Sequence, residues 1–88
     1  WLSPSGAQDS VGIHFTWLQR QPEVEALLPV IEAALAPFDA RPHWGKLFTT
    51  DAARLAELYP RLPELRALAA RLDPEGVLRN DYLDRVLG

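Results

Sequence analysis

The chain has no cysteine, so it can form no disulfide and offers no thiolate to a metal. Its two histidines, His14 and His43, stand far apart, and no metal site is expected from them. No apolar run approaches the roughly 20 residues that span a bilayer, and no basic-plus-apolar leader is present. A cytoplasmic protein without a membrane span is the expectation. Positive charge is scarce as well: 9 Lys and Arg against 12 Asp and Glu leave a net charge of −3. That balance supplies no basic field, so nucleic acid is not an expected partner. Only one of these cations, Lys46, is a lysine.

What remains is an ordinary globular composition, 48% hydrophobic and 24% charged, in 88 residues. That is at most one small domain, which would bury only about 60–65% of its unfolded surface. The chain starts at Trp1 without methionine and enters through WLSPSGAQDS, a run that reads as a loop between elements. A piece of a longer protein is expected on that ground.

The segment SVGIHFTW (10–17) alternates strictly. Val11, Ile13, Phe15 and Trp17 fall on one side, and Ser10, Gly12, His14 and Thr16 on the other. Period two with β-branched and aromatic residues predicts a strand. A strand needs a partner for its backbone groups, and the only other candidate is a short stretch near 44–49, so most of its sheet is expected elsewhere.

QPEVEALLPVIEAALAPFD (21–39) carries Pro22 in its first turn, acids near its positive end, and Val24, Leu27, Leu28, Ile31 and Leu35 at helical spacing. An amphipathic helix follows, bent at Pro29 and ended by Pro37. Further on, Thr49 or Thr50 is placed to cap a helix over DAARLAELY, and LPELRALAARL repeats the helical pattern beyond Pro60. DPEG (73–76) predicts a turn, VLR an extended link, and Asn80 the cap of a last short helix with Leu83, Val86 and Leu87 on its apolar side.

Two places invite chemistry. His14 and Thr16 project the same way from the predicted strand, about 7 Å apart by strand geometry. They line either a ligand cavity or simply a wet strand face. In RPHWGK (41–46), Gly45 permits an unusual backbone angle or a close approach, Trp44 can anchor the turn, and Arg41, His43 and Lys46 supply donors. The turn holds an anion or polar substrate, or it is a packed Trp beside a snorkelling Lys. Lysine differs from the arginines used elsewhere in offering a compact ammonium rather than a planar fork.

IHFTW, RPHWGK and LDPEGVLRNDYL, in that order, resemble the C-terminal part of the sugar-alcohol and aldonolactone oxidases, flavoproteins of the vanillyl-alcohol-oxidase type, and most of all their bacterial alditol (xylitol) oxidase branch. The resemblance runs from about Ser10 to Gly88. It implies an α+β fold, a fragment of an antiparallel-sheet cap (substrate) domain with one clear strand and three to four helices. Residues 1–88 would belong to that domain, with the last helices, about 61–88, returning toward a flavin-binding domain supplied upstream.

The implied reaction is oxidation of a primary or secondary hydroxyl of an alditol or aldonolactone by hydride transfer to FAD, with oxygen as acceptor and hydrogen peroxide as product. By position, Lys46 and His14 become catalytic residues, Thr16 joins them in binding substrate, and Lys46 with His43 faces the cofactor. Implied partners are the polyol or sugar-lactone substrate, oxygen and the flavin-binding domain, which would hold most of the FAD. The 88 residues by themselves are expected to be inactive, because a catalytic constellation acts as a unit. A reading from another class is a noncatalytic small helical module that docks on a protein partner through its apolar helix faces.

Overall fold

The structure, a computed structural model, describes residues 1–88 and is built from helices and turns with no strand. In chain order these are α1 (Gln21–Leu35), a 3-10 turn (Ala36–Phe38), α2 (Ala52–Leu58), α3 (Leu62–Leu72) and α4 (Asp81–Leu87). They fall into two compact units, Ser3–Thr50 and Asp51–Gly88 with Trp1–Leu2.

The expected α+β fold with one clear strand is therefore corrected. Residues 10–17 run outside any helix or ladder, and none of their backbone groups pairs with another segment. A strand exists only as half of a ladder, and alternation alone cannot supply the other half. The alternation itself survives locally: Phe15 and Trp17 stack with ring centroids 5.2 Å apart and planes 15° from parallel. The possible short strand near 44–49 is absent too, because 44–46 is a turn and the Thr49 N–H turns to a side chain.

In the first unit α1 carries the packing. Val24 and Leu28, one helical turn apart, are buried together with Phe48, while Ile31 and Leu35 are half-buried. Pro22 starts the helix, and Gln21 Nε2 donates to Glu25 Oε1 at 2.8 Å across the first turn. The helix runs unbroken through Pro29. Proline has no N–H, so the Glu25 carbonyl lacks its helical donor there. The 3-10 turn containing Pro37 ends it, closed by Asp39, whose N–H donates to the Ala36 carbonyl from a left-handed backbone at φ 49°.

In the second unit α2 touches both α3 and α4. Leu55, Tyr59, Leu62 and Val86 are essentially sealed from solvent. Each buried leucine is worth about 1.5–3 kcal/mol against exposure, and on that scale they hold these short helices together. Asp51, rather than Thr49 or Thr50, caps α2, its side chain accepting from the Arg54 N–H at 2.8 Å. Asn80 caps α4 as its sequence predicts, accepting from the Leu83 N–H at 2.9 Å.

Between α3 and α4 the DPEG turn forms, with Gly76 at φ 70°. The Asp73 carboxylate accepts from the N–H groups of Val77 and Leu78, both at 2.8 Å. That grip curls VLR into a second turn, closed by Arg79 N–H to the Gly76 carbonyl at 3.2 Å, instead of the extended link expected.

Candidate functional site

RPHWGK folds as a turn closed by the Lys46 N–H donating to the His43 carbonyl at 3.0 Å. The Gly45 N–H donates to His43 Nδ1, also at 3.0 Å. An Nδ1 that accepts carries no proton, which leaves the ring hydrogen on Nε2 as a donor. Gly45 does not adopt a left-handed backbone, and a Cβ there would meet His43 Cε1 at 3.4 Å, ordinary contact. The glycine thus leaves room beside the imidazole and is not required by an unusual angle.

Trp44 anchors the turn as expected. Its ring meets Phe48 edge-on at a centroid distance of 6.3 Å, and Phe48 is buried. Arg41 is engaged within the fold, its Nη1 donating to the Ser3 carbonyl at 3.3 Å. Lys46 is exposed and its ammonium makes no ion pair, so the turn presents one unneutralised cation beside one imidazole donor.

Three residues beyond Lys46 comes a contact that local patterning misses. The Glu32 carboxylate on α1 accepts four hydrogen bonds from two adjacent threonines: Thr49 N–H at 2.8 Å, the Thr49 hydroxyl, Thr50 N–H at 3.2 Å and the Thr50 hydroxyl at 3.0 Å. This explains why neither threonine caps α2. A signal for it does exist in the sequence. Glu32 lies four residues beyond Leu28 and eight beyond Val24, so it continues the buried stripe of α1, where an acid needs donors.

His14 and Thr16 are both exposed, and neither side chain bonds to another residue. The structure brings His43 and Lys46 together on one turn, and no hydrogen bond joins either of them to His14 or Thr16. A solvent-open groove of about 380 Å³ is lined by Trp17, Leu18, Arg20, Val24 and Leu47 among others. It joins the residue after Thr16 to the residue after Lys46. No helix is long and apolar enough to cross a membrane.

The sequence profile of a family described as D-arabinono-1,4-lactone oxidase matches residues 1–86. The chain belongs to that family. Within the D-arabinono-1,4-lactone oxidase family, it is similar to an alditol oxidase of a Streptomyces species, 52% identical over 90 residues that cover 99% of this chain and 21% of that protein. It is also similar to L-gulono-1,4-lactone dehydrogenase of Mycobacterium tuberculosis, 42% identical over 75% of this chain and 15% of that protein. L-gulonolactone oxidase of Mus musculus is 31% identical over 62% of this chain and 12% of that protein. The chain thus spans about a fifth of the length of the alditol oxidase it matches.

Proposed function

We propose that this chain is part of the substrate side of an FAD-dependent oxidoreductase that oxidises a hydroxyl of an alditol or aldonolactone. The observation that carries the reading is the family match over residues 1–86, joined to an exposed, unpaired Lys46 on the RPHWGK turn. Residues 1–88 are read as the C-terminal part of the substrate domain, with α3 and α4 returning toward a flavin-binding domain that holds most of the cofactor.

The donors of the turn fit the acceptor-rich edge of a flavin. His43 has Nε2–H free because its Nδ1 is engaged with Gly45, and Lys46 adds a compact cation. FAD, when bound, would supply a two-electron hydride acceptor that oxygen, taking up two protons, would regenerate with hydrogen peroxide as product. Lys46 opposes the negative charge that accompanies hydride. It acts as an electrostatic stabiliser and not as a base. The His14 imidazole, when neutral, accepts the hydroxyl proton as the carbinol carbon loses hydride, and Thr16 hydrogen-bonds the more distant substrate hydroxyls.

The test is made in the full-length protein, mixed without oxygen with a panel of alditols and aldonolactones. Bleaching of the flavin absorbance by at least one of them, and peroxide on readmitting air, is the expected result. Lys46→Ala should slow turnover at least about tenfold, roughly 1.4 kcal/mol of barrier. Near-wild-type turnover would remove Lys46 from the reaction.

Exposure of His14 and Thr16, with no strand beneath them, favours a second reading, a helical interaction module without catalysis. A full-length protein that copurifies with no flavin and bleaches with no substrate would support it.

A further inference from the structure

The four bonds on Glu32 cap no helix, since the cap of α2 is Asp51. What they hold is the chain three and four residues after Lys46. The residue has no other partner, and its two oxygens have about four acceptor sites in all, each of which is taken by Thr49 or Thr50. It has none left with which to bind a substrate.

Lys46 is pinned on both sides as a result. Upstream, its own N–H closes the turn on the His43 carbonyl, and Trp44 packs against Phe48. Downstream, Phe48 is buried and the next two residues are fastened to α1 through one carboxylate. Leu47, the residue between, is exposed and contributes no comparable anchor. The lysine side chain is long and flexible, so the position of its ammonium depends on how firmly this backbone is held.

We infer that Glu32 is a positioning residue for Lys46: by gripping Thr49 and Thr50 from α1, it fixes where the ammonium stands. The inference rests on the catalytic reading of Lys46. Displacing a reacting group by about 1 Å can cost on the order of a hundredfold in rate. Loss of the grip therefore lowers kcat more than it raises KM, since substrate hydroxyls are bound by other groups.

A double-mutant cycle in the full-length enzyme separates this from a merely structural role. Glu32→Gln keeps one acceptor oxygen and replaces the other with an NH₂ that cannot accept. In the Lys46 background it should lower kcat by about tenfold, and in the Lys46→Ala background by less than about twofold, because the effect passes through the lysine. Thr49→Val keeps the carboxylate and three of its four donors, and should show the same pattern with about a threefold loss. It carries the test if Glu32→Gln does not fold.

Equal losses in the two backgrounds, or wild-type kcat for both Glu32→Gln and Thr49→Val, overturn the role of Glu32 and leave that of Lys46 standing. Wild-type turnover for Lys46→Ala overturns both.

Discussion

The Arg41 guanidinium fills the space that a side chain on Gly6 would need. Gly6 sits at φ 58°, and a Cβ built on it would stand 2.8 Å from Arg41 Nη1, the atom that donates to the Ser3 carbonyl. The Gly6 N–H in turn donates to Ser3 Oγ at 3.2 Å, so the entry loop is folded around the first residue of RPHWGK.

Gly6→Ala is therefore expected to destabilise the protein by about 1–2 kcal/mol, the cost of a left-handed backbone for a residue with a Cβ. The arginine tip can swing aside, so the backbone dominates. Urea unfolding of the full-length protein measures it. A midpoint unchanged from wild type would mean that the loop relaxes to another conformation at no cost.

Asn80→Ala removes the acceptor for the Leu83 N–H at the start of a helix only seven residues long. About 1 kcal/mol should be lost, and Asn80→Asp should keep nearly all of it. Amide exchange at Leu83 reads the fraying directly, and protection that survives in the alanine variant would show the cap to be idle.

Lys46→Arg tests what kind of cation the turn needs. If the ammonium acts as a compact point charge beside His43, the wider guanidinium fork should recover less than about a tenth of wild-type turnover. Full activity in the arginine variant would mean that charge alone suffices.

Just before α3, Arg61 donates to Glu64 from Nε at 3.0 Å and Nη2 at 2.6 Å, and its guanidinium lies 4.7 Å from the Trp1 ring centre. The hydrogen bond from Arg61 holds the Glu64 carboxyl below its ordinary value. A carboxylate lowered in the folded state contributes stability that is complete above the unfolded value and is lost as pH falls through the folded one. Because both side chains are exposed, that contribution is small and sensitive to salt. Arg61→Ala should move the Glu64 midpoint upward in an NMR titration of its carboxyl carbon, and an unmoved midpoint would deny the pairing its effect.

The helices were legible because their information is local. Val24 and Leu28 at helical spacing, Pro22 at a helix start and Asn80 before a short apolar stripe each act within a turn or two of themselves. The strand was not, because the alternation of Val11 to Trp17 states only what a partner would meet, and pairing is a property of two segments. Thr49 and Thr50 misled for a related reason. They and Asp51 are all competent caps, and the choice among them was made by Glu32, 17 residues upstream of Thr49. At the site, the turn and its tryptophan anchor were readable from RPHWGK. The tautomer of His43 and the use of Arg41 to brace the entry loop depend on geometry that no spacing rule carries.

Residues 10–17 also bear on how the 88-residue chain behaves when produced by itself. Their backbone groups are unpaired, Val11 and Ile13 are 86% and 60% exposed, and the stretch contains neither proline nor an acid, arginine or lysine. That is the composition of a self-templating edge, on which one copy can lay the same eight residues of the next. Self-association through this stretch is the expected outcome when the 88 residues are concentrated by themselves.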